Sequence, residues 1–167
     1  MIAHGDEAPD FALPGIADGE RATYRLDDVL ERGSAAVLAF YVFDFHPACT
    51  TEWCSLRDAD WLTFLDDTQV LGIGTDRVFS HGQFAAEHGL GFPLLSDSDG
   101  AVSERYGVLY DEFDGHRRVS KRAVFVVDPA GVVRYRWVAD DPQTQPDLDA
   151  VRSVLVDDVG VASAAGV

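Results

Sequence analysis

Apolar residues fill positions 35–43 almost without interruption. A run of that length with no alternation predicts a strand covered on both faces, at the centre of a sheet. Residues 70–74 read as a second buried strand. Residues 123–127 and 132–138 flank Asp128-Pro129-Ala130-Gly131, whose proline and glycine at the second and fourth positions predict an antiparallel hairpin. Helical spacing lies between these strands. Trp53, Leu56 and Phe64 share one side of a helix over 48–66, a short helix over 26–32 stops at Gly33, Ser80 caps another that runs to residue 88, and 99–106 forms the next. Residues 9–15 and 92–95 are short extended pieces, and Pro146 opens a closing helix to residue 156. Strands alternating with helices, then a hairpin and a last helix, predict an α/β fold with a central mixed sheet flanked by helices on both faces. The expected organisation is one domain over 1–159 and a flexible small-residue tail over 160–167.

With 167 residues and 47% hydrophobic content, the chain suits a single domain with a buried core. Its charge narrows the partners. Against 29 Asp and Glu it has 13 Lys and Arg, a formal charge of −16, which speaks against nucleic acid and anionic membrane surfaces. Acidic pairs recur at 27–28, 66–67, 140–141 and 157–158, so the charge is spread along the chain. At about 1 M salt the Debye length falls to ~3 Å and such repulsion is screened, so a salt-adapted, halophilic protein is expected. The first residues lack a basic and apolar leader, and no run of about 18 apolar residues follows. The expected location is the cytoplasm, where two cysteines point to chemistry before a permanent crosslink.

Both cysteines, Cys49 and Cys54, lie where the strand run gives way to the helix pattern. A thiol in the first turn of a helix meets unpaired backbone N–H groups and the positive end of the dipole, which favour the thiolate. Lowering a thiol from about 8.5 to about 6 would raise the thiolate fraction at neutral pH some thirtyfold. Five residues of helix add roughly 7.5 Å of rise and about 140° of rotation, so a Cys49–Cys54 disulfide requires the helix start to unwind. His81, His88 and His116 have no partner spacing for a metal, and Cys49-x4-Cys54 lacks the second pair of a zinc site, so neither metal nor cofactor is expected. Gly72-Ile73-Gly74 is too short for a nucleotide fingerprint.

Several segments together resemble the peroxiredoxins: Ala8-Pro9-Asp10-Phe11, the strand ending in Phe40-Tyr41, the helix start Cys49-Thr50-Thr51-Glu52, the block 70–108, and Arg122-Ala123-Val124-Phe125-Val126-Val127-Asp128-Pro129-Ala130-Gly131. The Cys49-x4-Cys54 spacing is similar to the bacterioferritin-comigratory, or PrxQ-like, branch. The resemblance implies a thioredoxin-like fold in which Cys49 attacks a hydroperoxide, becomes a sulfenic acid and is resolved by a second thiol; Cys54 is the expected one, the alternatives being a one-cysteine mechanism and Cys54 as a small buried hydrophobe. It assigns Arg122 to holding the thiolate and steering the leaving oxygen, with Glu52 as its partner. Two positions depart from the family motif: Val42 stands in place of a proline and His46 in place of a Thr or Ser. An imidazole can donate or accept, so His46 either takes over the hydroxyl's contact or only covers the helix start.

The expected activity is that of a thiol peroxidase for hydrogen peroxide and small organic hydroperoxides, with a thioredoxin- or glutaredoxin-like reductant and a monomeric or homodimeric state. Two other readings stay open at this point. One is a thiol–disulfide oxidoreductase of the same fold, against which the absence of Cys-x-x-Cys counts. The other is a non-catalytic redoxin-like sensor or binding module.

Overall fold

The computed structural model describes residues 2–63, 65 and 67–161. In chain order the elements are β1 (Ala12–Ala17), β2 (Glu20–Arg25), α1 (Leu26–Glu31), β3 (Ala35–Phe40), α2 (Pro47–Arg57), α3 (Asp60–Thr63), β4 (Thr68–Gly74), α4 (Val78–His88), β5 (Leu94–Ser96), α5 (Ala101–Arg105), β6 (Leu109–Phe113), β7 (His116–Ser120), β8 (Ala123–Val127), β9 (Val133–Val138) and α6 (Leu148–Ser153), which continues as a π-helical stretch over Val154–Val159. Seven strands form one mixed sheet in the order β2-β1-β5-β4-β3-β8-β9, and β6 and β7 pair separately. β3, β4 and β5 run parallel, whereas β8 lies antiparallel to β3 and β9 to β8.

Alternation along β3 sorts its side chains into two cores. Ala36, Leu38 and Phe40 pack with Leu26 and Val29 of α1 and Val102 of α5, while Ala35, Val37 and Ala39 pack with Trp53 and Leu56 of α2, Phe84 of α4 and Val151 of α6. Helices therefore cover both faces, as the unbroken apolar run requires. β8 repeats the division, with Phe125 on one face and Val124 and Val126 on the other. By the same two-residue period Arg122, one position before β8, points to the α2 face.

Several boundaries differ from the sequence expectation. β3 ends at Phe40 instead of residue 43: there it pairs with Ala123, the first residue of β8, and with Ile73 of β4, whose carbonyl accepts from the Tyr41 N–H at 3.0 Å. The helix expected over 48–66 stops at Arg57. Asp58 takes φ −89 and ψ 0 there, with its N–H bonded to the Cys54 and Leu56 carbonyls, and the chain turns so that Trp61 and Leu62 reach the core from a new direction. Phe64 and the expected end at Asp66 lie outside the described residues. Arg77, not Ser80, caps α4; the closing helix is capped by Asp147, whose carboxylate accepts from the Asp149 and Ala150 N–H groups. Of the expected tail, Val161 donates its N–H to the Leu155 carbonyl at 2.9 Å and packs on the core; residues 162–167 lie outside the description. β2, β6 and β7 went unpredicted because they are mostly polar and exposed and show no apolar alternation.

Candidate active site

β3 delivers the chain to a loop over 41–46, and α2 begins immediately after it. Pro47 occupies the first helical position, where a missing N–H loses nothing. His46 is the N-cap, its Nδ1 accepting from the Ala48 N–H at 3.2 Å. Phe45 adopts φ +67, a left-handed conformation that costs an aromatic residue about 1–2 kcal/mol. The loop is pinned on the other side by Asp44. Its N–H donates to Asp76 at 2.8 Å, while its carboxylate accepts from the Tyr41 hydroxyl at 2.7 Å and lies 2.8 Å from His81 Nδ1. His81 is fully buried and places Nε2 3.0 Å from the Leu95 carbonyl. A depression of about 390 Å³ opens outside the loop between Phe43, Phe45, His46, Asp76 and His116.

Cys49 is the third residue of α2 and is 0% exposed. Arg122 Nη2 donates to its Sγ at 3.2 Å, and Nη1 donates to Glu52 Oε1 at 2.8 Å in an ion pair with no solvent exposure. The same Nη2 also reaches the Pro142 carbonyl at 2.8 Å, and Gln145 Nε2 donates to the Ala48 carbonyl at 2.9 Å. The segment 142–145 thus straps the first turn of α2. No motif in this polar stretch announces that contact, nor the Tyr41–Asp44–His81 cluster. Val42, where the family has proline, is fully buried in the same apolar cluster as Cys49 and still excludes water.

The electrostatic outcome corrects one expectation. Burial pushes the Cys49 thiol up from its ordinary range; the Arg122 guanidinium and backbone hydrogen bonds from Phe43 and Val42 oppose this only in part, and Glu52 adds to the rise. Desolvation of the anion is the largest influence on this sulfur. Glu52 is itself raised from 4.5 to about 7, by burial working against Arg122, and its Oε2 is buried with no hydrogen-bond partner among the described residues. His46 is lowered by burial, then by Arg122, with Asp114 opposing. A neutral ring suits its role as acceptor at the helix cap.

Cys54 is half-buried on the far side of α2, where its Sγ lies 3.9 Å from His88 Nδ1. Both cysteines are free thiols. Between them the Trp53 indole fills the core above Gly72, where a Cβ would come within 2.5 Å of the ring. The Gly72-Ile73-Gly74 stretch thus leaves room for that indole. Among the described residues no group of three His, Cys, Asp or Glu side chains could hold a metal, and no helix is long and apolar enough to cross a membrane.

The structure thus brings together a buried thiol, a guanidinium on its sulfur and a carboxylate behind the guanidinium. The AhpC/TSA family model matches residues 4–136. The chain belongs to the AhpC/TSA family. Peroxiredoxin Bcp of Escherichia coli is 35% identical over 157 residues, covering 90% of this chain and 94% of that protein. Peroxiredoxin Bcp of Bacillus subtilis is 33% identical over 157 residues, covering 88% and 97%. Among solved structures, peroxidoxin BcpB of Mycobacterium tuberculosis superposes with a TM-score of 0.75 at 29% identity, over 93% of this chain and 96% of that one. This peroxiredoxin is therefore an oxidoreductase with a thioredoxin-like fold, similar to the Bcp proteins. Its arrangement holds a sulfur with permanent positive charge beside it, where an oxygen leaving a bond to the atom under attack would also be stabilised.

Proposed function

We propose that this thiol-dependent peroxidase reduces hydrogen peroxide and small organic hydroperoxides, with Cys49 as the attacking thiol and Cys54 as the resolving one. The observation that carries the assignment is Arg122 Nη2 at 3.2 Å from Cys49 Sγ, held by the buried Glu52. In the first step the sulfur lone pair forms an S–O bond to the terminal peroxide oxygen and the O–O bond breaks. The other oxygen leaves with that electron pair and takes up the thiol proton, so Cys–SH and ROOH become Cys–SOH and ROH. Arg122 acts by stabilising charge on the sulfur and then on the departing oxygen.

Cys54 then displaces the oxygen of the sulfenic acid as water, forming the disulfide. The Cys49 end of α2 unwinds to allow this, and a thioredoxin- or glutaredoxin-like dithiol restores both thiols. Hydrogen peroxide is neutral and unaffected by the charge of −16, which repels anionic substrates. The same charge supports a cytoplasm of high salt as the working environment. Dialysis into low salt should lower the melting temperature, and an unchanged value would remove that adaptation from the account.

Peroxide consumption with dithiothreitol as reductant tests the activity. Turnover by the natural chain and none by Cys49→Ser is the expected pair of results. Reduction of insulin disulfides without peroxide turnover would replace the peroxidase with a thiol–disulfide oxidoreductase, and neither activity would leave a binding module.

A further inference from the structure

The environment of Cys54 contains a group that the peroxidase reading does not use. Its Sγ sits 3.9 Å from His88 Nδ1, within reach of an S–H···N hydrogen bond. The imidazole is held in place. His88 ends α4, where Gly89 in the left-handed conformation turns the chain away, and its ring meets that of Phe84 edge-on at 5.2 Å. Arg57, three residues after Cys54 and so on the same side of α2, donates from Nη1 to the His88 carbonyl at 2.6 Å and ties the end of α4 to the resolving half of α2. Charged groups beside the pair include Arg57, which interacts electrostatically with the Cys54 thiol, and Asp58, which pairs with Arg57 at 2.8 Å.

We infer that His88 is a second catalytic residue, the general base that takes the Cys54 proton as this thiol attacks the Cys49 sulfenic acid. This rests on the reading of Cys54 as the resolving thiol. In the Nε2–H tautomer His88 presents the Nδ1 lone pair to the thiol. The proton moves to Nδ1, the Cys54 sulfur lone pair forms the S–S bond, and the S–O bond of the sulfenic acid breaks with its electrons on oxygen. That oxygen leaves as hydroxide and takes a proton to become water, so Cys–SOH and Cys–SH become the disulfide and H2O. The moving partner is the Cys49 end of the helix. Trp53 and Leu56 are buried and Arg57 grips α4, whereas the first turn is held by the His46 cap and the Gln145 contact. Cys54 therefore stays with its base while the sulfenic acid approaches.

A thiol near 8.5 is only about 3% ionised at pH 7, which sets the gain from a base in place at roughly thirtyfold. The test follows the natural chain, His88→Ala and His88→Asn through a single turnover with one equivalent of peroxide between pH 5.5 and 8.5. Trp53 fluorescence and timed alkylation with mass spectrometry separate sulfenic acid formation from disulfide formation. Relative to the first phase, the second should slow roughly thirtyfold at pH 7 in both variants. It should then climb with pH through the thiol range, where the natural chain levels off, and added imidazole should restore part of the loss in His88→Ala. Equal second-phase rates with the same pH profile in all three proteins, with the disulfide formed in each, would overturn the role of His88 and leave Cys54 as resolving thiol. Failure of the natural chain to form a Cys49–Cys54 disulfide would overturn the Cys54 reading itself, and the base with it.

Discussion

Cys49 and Cys54 share one helix, yet the first is sealed between Arg122, Glu52 and the 142–145 strap while the second is half-exposed beside His88 and Arg57. The two steps assigned to them differ in the same way. Cleaving a peroxide develops charge on an oxygen that must leave, and a permanent guanidinium in a dry site stabilises that charge without reorganising. Forming a disulfide needs a proton removed from a thiol near neutral pH, which a guanidinium cannot do and an imidazole can. One helix can present both environments because its ends face different layers: the N-terminus meets β8 and the 142–145 segment, and the Cys54 end meets α4. Dryness has a cost at Cys49, where burial raises the thiol despite the guanidinium.

The sharpest separation comes from replacing each sulfur. Cys49→Ser should abolish peroxide consumption under all reductants. Cys54→Ser should still consume one equivalent of peroxide and accumulate the Cys49 sulfenic acid, visible as a dimedone adduct by mass spectrometry, but fail to sustain thioredoxin-driven cycles. Identical losses in the two variants would erase the distinction between the sites.

Arg122→Met comes next. Removing a preorganised donor of this kind slows chemistry by about 100- to 1000-fold, so Cys49 oxidation should fall by that much in stopped-flow measurements. Leaving Glu52 buried without its partner should also destabilise the fold by about 3–5 kcal/mol in urea titrations. The double variant Arg122→Met/Glu52→Leu should regain much of the stability and none of the rate. Recovery of both would mean that the guanidinium only supports the structure.

The contrast also explains what could be read in advance. The centre of the sheet was legible because β3 and β8 are buried on both faces, and the hairpin at 128–131 because proline and glycine mark it. The Cys49, Glu52 and Arg122 positions were reachable through the family resemblance. Residues that act only by tertiary contact left no local trace. Asp44, His81, Gln145 and His88 are ordinary polar residues until the fold brings them to Tyr41, Ala48 and Cys54. The direction of the Cys49 shift was missed for the same reason: a helix start is visible in sequence, whereas complete burial of the sulfur depends on Val42 and the strap that pack around it.

A smaller effect should follow from Glu52→Gln. Burial raises this carboxyl from 4.5 to about 7. The folded protein holds the proton more tightly than the unfolded chain, so this contribution to stability is complete below about 4.5 and lost as pH rises through about 7. Gln removes that slope, which urea titrations at pH 5 and pH 8 would show. Ionised Glu52 also raises the Cys49 thiol, so the midpoint of Cys49 alkylation by iodoacetamide should move to lower pH in the variant. A midpoint that stays or rises would mean that the carboxylate matters only through the placement of Arg122.

The smallest expected effect lies at His46, the imidazole on the Cys49 side. Unlike His88, its Nδ1 is committed to a backbone N–H, so it serves the helix start and is not free to move a proton for the sulfur. Removing such a cap costs about 1 kcal/mol, which is the loss expected for His46→Ala, with Cys49 oxidation slowed less than tenfold. Threonine is also a good cap, so His46→Thr should keep stability at pH 7.5 nearly unchanged. The two should part on acidification. The folded protein lowers the His46 titration below 6.5, so the cap's contribution is complete above that value and lost as pH falls through the folded midpoint, because a protonated ring cannot accept the Ala48 N–H. The melting temperature of the natural chain should therefore drop more between pH 7.5 and 5.0 than that of His46→Thr. Parallel curves, or a large loss of Cys49 oxidation on substitution by threonine, would instead assign this imidazole a part in the peroxide step.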